Sequence, residues 1–207
     1  MFILTTIQDL IQIAPQEFEK PSAQAIKDSV NTKYSNKVVQ KVGLCICMWD
    51  LLEASEGLIG HGTGLVNVNV EFRMVVFRPF CGEILQGKIK HSDENGITID
   101  LDFTSEVFIP APSHLPENCR FDRAEDVWIW RSDDTDLFFD KGEPVRFRVE
   151  QEHFEDQKPT LIEKNEEGEE IREKSSAYRI VGSMSLPGLG PTLWWEEGGE
   201  EEGEKGD

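Results

Sequence analysis

Residues 66–77, VNVNVEFRMVVF, constrain the fold more than any other stretch. Val66, Val68, Val70, Phe72, Met74 and Val76 all fall on one side of a period-two strand. A strand this long with one apolar face must sit in a sheet that is covered on that side. It runs directly into RPFCG (78–82), and a second strand-like run, EILQGKIK, restarts at Glu83. A proline and a glycine so close together end one strand and free the chain to start another. The sequence therefore reads as two sheets joined end to end.

The part before the junction contains one helix. Phe2 to Ile13 alternates as an opening strand closed by Pro15. Pro21 stands where a helix can begin, and Ala23, Ile26, Val30 and Tyr34 recur at three- and four-residue spacing up to an Asn36-Lys37 turn. Residues 38–52, VVQKVGLCICMWDLL, form a long apolar run whose two faces, Leu44/Ile46/Met48 and Cys45/Cys47/Trp49, are both non-polar. Such a strand is expected to be buried on both sides. With the loop EASEGLIGHGTGL and the strand 66–77, this gives an α+β domain over residues 1–81, an antiparallel sheet with one helix across it.

The second part has no helical period. GEILQGKIKH, GITIDL, EVFIPA, VWIW, PVRFRVE and YRIVGSMS are short strands separated by turns such as Glu94-Asn95-Gly96 and Lys141-Gly142. Five or six such strands predict a small closed all-β barrel over residues 82–195. A polar stretch at about 150–174 reads as a disordered acidic insertion, and EEGGEEEGEKGD (196–207) as a disordered acidic tail. Between them, LPGLGPTLWW ends in paired tryptophans expected to pack back on the barrel.

The net formal charge of −19 is unevenly spread: −1 over residues 1–81, −7 over 82–149 and −11 over 150–207. A general polyanion binder is excluded, because neutralising many phosphates needs a wide Lys/Arg footprint. The nearly neutral first domain, rich in strands, suggests a surface completed by a partner. Cys45, Cys47, Cys81 and Cys119 show no zinc spacing, and Cys45 and Cys47 read as core thiols. His61, His91, His114 and His153 are scattered without a Ser or Cys partner pattern. No catalytic constellation, metal or cofactor is expected. MFILTTIQDLIQI has no basic leader or small-residue cleavage site, so the chain reads as intracellular, reduced and soluble, with no membrane association.

GEILQGKIKHSDENGITIDLDFTSEVFIP (82–110) resembles the start of the S-one RNA-binding domain, an OB-fold barrel, at Gly82-Glu83, Ile84, Gly87, Ile89, Gly96, Ile97, Ile99 and Val107 to Ile109. VVFRPFCGEI, directly after an alternating strand, is similar to the domain junction of the stalk subunits of archaeal and eukaryotic RNA polymerases. NKVVQKVGLCICMWDL, FDRAEDVWIW, GEPVRFRV and VGSMSLPGLGPTLWW look like the polymerase III version, so the resemblance spans residues 1 to about 195.

That resemblance implies an α+β N-terminal tip domain followed by an OB-fold barrel, in a nuclear, non-catalytic subunit. It implies a heterodimer with a smaller stalk subunit, docking on the polymerase III core near the clamp, and contact with the emerging single-stranded RNA transcript. It also implies a role, alongside initiation factors, in starting transcription of tRNA and other small RNA genes. Two other classes remain open: an exosome-type RNA-processing accessory factor built on the same barrel, and an acidic chaperone-like protein acting through its tail.

Candidate residues follow from the strand patterns. With Leu85, Gly87 and Ile89 on one side, Lys88 and Lys90 point outward. With Val145, Phe147 and Val149 inward, Arg146 and Arg148 point outward. These four cations and Phe108 are the candidate RNA contacts, set against the ordinary use of Lys and Arg to solubilise a strand face. Trp128 and Trp130 share a face and are expected to pack in a core. IGHGTG lacks the Lys-Ser/Thr of a phosphate cradle and reads as a hairpin tip that meets another subunit. Trp49, Leu58, Ile59, His61, Phe77 and Phe80 are the candidate docking residues.

Overall fold

The structure, a computed structural model, describes residues 1–132, 135–155, 163–164, 170–171 and 177–195. The chain divides into two compact units, Met1–Pro79 and Phe80–Asp207.

The first unit contains β1 (Phe2–Ile13), α1 (Ser22–Tyr34), β2 (Lys37–Val39), β3 (Gly43–Ala54), β4 (Leu58–Ile59) and β5 (Val66–Phe77). Its sheet runs β1-β5-β3-β2, antiparallel throughout, with β4 also paired to β5. β5 is central because its twelve residues give both backbone edges the length to pair with two long neighbours, while its apolar face covers the core. It pairs with β1 without interruption from Phe2↔Phe77 to Ile13↔Val66. Val68, Val70, Phe72, Met74 and Val76 are buried against Ile26 and Val30 of α1. Burying either of those two side chains stabilises the unit by roughly 1.5–3 kcal/mol, an upper bound for a compact unfolded chain.

α1 starts behind Pro21 and ends where Ser35 N–H donates to Asn31 O and Asn36 turns left-handed at φ 58°. Its last turn is tied to β1: Tyr34 Oη donates to Asp9 Oδ2 at 2.6 Å, and Lys33 Nζ pairs with the same carboxylate. Burial alone would raise the Asp9 pKa, but the hydrogen bonds from Lys33 and Tyr34 outweigh it and hold the carboxyl below its ordinary value. Burial, together with the bond to Asp9, pushes the Tyr34 phenol up to about 12.

β3 departs from its expected form. The run 38–52 is two strands joined by a turn, with Val39 opposite Gly43. Moreover, β3 is not buried on both faces. Register shifts fall between Cys45 and Cys47, Met48 and Asp50, and Leu51 and Glu53. Each is a β-bulge that inserts one residue and resets the alternation, so the repeat becomes three rather than two. Cys45, Met48, Leu51 and Ala54 lie opposite Val76, Met74, Phe72 and Val70, over the helix-side core. Cys47, Asp50 and Glu53 lie opposite Val75, Arg73 and Glu71, on the other face. Ile46, Trp49 and Leu52 are the inserted residues, and Trp49 is 61% exposed.

The second unit contains β6 (Ile84–Asp93), β7 (Gly96–Asp100), β8 (Val107–Pro110), β9 (Cys119–Asp122), β10 (Val127–Ser132), β11 (Thr135–Phe138) and β12 (Pro144–Phe154). Two-residue strands β13 (Glu163–Lys164) and β14 (Glu170–Ile171) pair with each other, followed by β15 (Tyr178–Ser183) and β16 (Gly190–Pro191). The order β15-β8-β7-β6-β12 closes through a β12–β15 pairing, giving a five-stranded barrel in which only β8 and β15 run parallel. Closure leaves no free edge around the ring, and Leu85, Ile89, Ile97, Ile99, Val107, Ile109, Val145, Phe147, Val149 and Ile180 fill the interior.

VWIW is not a barrel strand; it is the middle of a separate sheet, β11-β10-β9. Trp128 from it is 5% exposed and donates its indole N–H to Asp93 O at 2.8 Å. The closing tryptophans do pack back, with the Trp194 ring 5.3 Å from Trp130 and 4.8 Å from Phe139. Residues 150–154, expected in a disordered insertion, are the end of β12. Most of the remaining insertion and the tail 196–207 lie outside the described residues.

Candidate functional site

The docking candidates separate by burial. Leu58 and Ile59 are 70% and 74% exposed and form β4, which pairs with β5 at Asn67 and Val66 on the side already taken by β3. Ile46, Trp49 and Leu52 therefore precede them along one side of the sheet. Among the described residues no strand pairs with β3 beyond Cys45 on its outer side. Bulges obstruct regular strand addition there, so this edge suits side-chain contacts better than backbone pairing.

His61 is exposed in the turn that Gly60 N–H closes onto Leu65 O at 2.7 Å. Phe80, in the second unit, is 63% exposed. Phe77 is a correction: it is fully buried, in tilted ring contact with Phe2 at 5.6 Å, and has no surface to offer a partner. Leu52, 49% exposed, is a surface residue that sequence reading missed, and Ile46 is half-buried. The bulge that brings Leu52 out leaves no signature in a period-two pattern.

The cationic candidates share a face in part. β6 and β12 pair as Lys88↔Pro144, Gln86↔Arg146 and Ile84↔Arg148, so Gln86, Lys88, Arg146 and Arg148 lie on the outer face of two adjacent strands. Much of this charge is already matched. Lys88 Nζ is 3.8 Å from Asp102 Oδ1, and Arg148 Nε donates to Glu150 Oε1 at 2.9 Å. Arg146 is exposed, with no charged partner among the described residues.

Lys90 stands on a bulge between Ile89 and His91, where its ammonium donates to Ser105 Oγ at 2.7 Å; that hydroxyl is 3.3 Å from Asp100 Oδ1. Phe108 is half-buried on β8, opposite Thr98, with β7 between it and β6. The ring and the cations thus belong to different parts of the barrel wall.

Of the thiols, only Cys45 is fully buried; Cys119 is half-buried, and burial pushes its pKa up to about 12. Cys47 and Cys81 are exposed, against the expectation of a core position for Cys47, because the first bulge of β3 turns it away from the helix. Among the described residues no three His, Cys, Asp or Glu side chains gather to hold a metal ion, and no helix is long and apolar enough to cross a membrane.

A family model described as the SHS2 domain found in the N terminus of Rpb7p/Rpc25p/MJ0397 matches residues 8–64, and one described as RNA polymerase III subunit Rpc25 matches residues 83–195. The chain is 40% identical over 205 residues to DNA-directed RNA polymerase III subunit rpc8 of Schizosaccharomyces pombe, covering 95% of this chain and 100% of that one. RPC8 of Bos taurus is 40% identical over 202 residues (94% and 98%), and RPC8 of Saccharomyces cerevisiae 40% over 214 (95% and 100%). A one-helix antiparallel sheet followed by an OB-type barrel defines the class, that of the two-module RNA polymerase stalk subunits. Within that class the chain belongs to the family of RNA polymerase III subunit Rpc25.

Proposed function

We propose that this chain is the larger, non-catalytic member of a two-subunit stalk on nuclear RNA polymerase III. Its first unit docks on the smaller stalk subunit and on the core near the clamp. Its barrel meets the emerging single-stranded transcript, and the assembly supports initiation, together with initiation factors, at tRNA and other small RNA genes.

The observation that carries this reading is the exposed apolar row Trp49, Leu52, Leu58 and Ile59 along one edge of the sheet in a nearly neutral unit. Exposed apolar residues that follow one another along an edge are what a partner interface buries. The RNA part of the reading is support for a weak, sequence-tolerant contact. Lys88, Lys90 and Arg148 already have local acceptors, which leaves Arg146 to offer an unmatched charge to phosphate.

Co-expression with the smaller stalk subunit tests the docking claim. The unaltered chain forms a one-to-one complex that melts higher than the chain alone, by linkage. Trp49→Glu combined with Leu58→Asp leaves the melting of the isolated chain nearly unchanged, because both side chains are mostly exposed, and loses the complex. A doubly substituted chain that still pairs with full recovery contradicts the assignment.

A further inference from the structure

Residues 196–207 form an acidic tail that follows the barrel in the sequence. It carries seven carboxylate side chains and one lysine, and the family match to the barrel stops at residue 195, where the tail begins. Its root is held in place. Thr192–Trp195 forms a 3-10 turn, the Trp194 ring lies against Trp130 and Phe139, and Trp195 donates its indole N–H to Leu189 O at 3.1 Å. This turn directly follows β16, whose Gly190 is the register partner of Arg146 on β12. The described chain therefore ends at Trp195, four residues beyond the strand that flanks Arg146, the arginine that has no acidic partner among the described residues.

Length permits the contact. Twelve residues span up to about 40 Å when extended, whereas β12 and β6 are adjacent strands about 4.8 Å apart. Charge complementarity favours it: the only tail cation is Lys205, and the outer face of these two strands presents Arg146 without an acidic partner among the described residues, between Lys88 and Arg148, which Asp102 and Glu150 already pair. Single surface ion pairs are weak. Tethering offsets this, because a short segment anchored nearby acts at an effective concentration on the order of millimolar.

We infer that residues 196–207 lie across the outer face of β6 and β12 around Arg146 and compete there with single-stranded RNA. The tail is then a built-in anionic competitor that sets a threshold for RNA binding. The competition rests on the RNA reading above; the docking of the tail does not.

The test uses the full chain and the same chain ending at Trp195, each in complex with the smaller stalk subunit. Two readouts are taken: amide chemical shifts without RNA, and affinity for a single-stranded RNA oligonucleotide. Removing the tail moves the amides of Gln86, Lys88, Arg146 and Arg148, and the shifts collapse at about 0.5 M salt, where the Debye length is only a few ångströms. RNA affinity rises about fivefold at about 50 mM salt and by less than about twofold at high salt. In an Arg146→Gln background both effects of tail removal shrink. Unchanged β6 and β12 shifts on tail removal overturn the inference whatever RNA does. Shifts that appear while neither chain binds RNA uphold the docking of the tail and overturn the RNA reading.

Discussion

At Gly96 the barrel has no room for a side chain: a Cβ there would sit 2.1 Å from Ile109 O and 2.7 Å from the Phe108 ring. Gly87 is similarly crowded by Ile99 and Asp100 O. The turn before Gly96 is fixed by Asp93 Oδ1, which accepts the N–H groups of Asn95 and Gly96 at 2.8 and 2.9 Å. Gly96→Ala is therefore expected to cost about 2 kcal/mol or more, read as a lower urea midpoint in tryptophan fluorescence. Asp9 gives a pH signature. Its folded pKa lies below the unfolded value near 4, so its contribution is present above about pH 4 and lost as pH falls through the folded value. Thermal melts across pH should find Asp9→Asn destabilised at pH 7, with the gap closing below about pH 4. These glycines and the segments that form the five barrel strands are legible in the sequence because turn chemistry and alternation are local. The burial of Phe77 is not, because an aromatic residue at the end of a strand reads the same whether covered or open.

Among the elements, β1, α1 and β5 follow directly from their periods, since one apolar stripe and one partner surface determine each. β3 does not, because its three bulges replace a two-residue repeat with a three-residue one, and only the pairing with β5 reveals where they fall. The same limit applies to VWIW, whose composition suits a barrel strand but whose partners are β9 and β11. On the barrel wall, alternation correctly turns Lys88, Arg146 and Arg148 outward. It cannot show that Asp102 and Glu150 stand beside two of them, since those pairings depend on loop and side-chain geometry. A sequence-level track of four cations thus reduces to one unmatched arginine. Arg146→Glu should weaken single-stranded RNA binding and lower the magnitude of the log K against log salt slope by about 0.7. Lys90→Glu should change the slope less, because its ammonium already serves Ser105. Equal slopes for unaltered chain and Arg146→Glu would move the RNA path elsewhere.

For the whole molecule, charge follows the division of labour: near neutrality in the unit proposed to dock, and acidity concentrated after residue 149. A neutral, apolar-edged unit gains stability by covering that edge, whereas a closed barrel needs no partner to complete its sheet. The central claim is that this chain works as a polymerase III stalk subunit. Native mass spectrometry of the assembly recovered on the tagged full chain, unaltered, as Trp49→Glu/Leu58→Asp and as Arg146→Glu, tests it most directly. Polymerase III core subunits and the smaller stalk subunit are expected with the unaltered chain and with Arg146→Glu, and are expected to be lost with the double docking variant. Recovery of a ring-forming nuclease core in place of the polymerase, or loss of the assembly with Arg146→Glu alone, would contradict it.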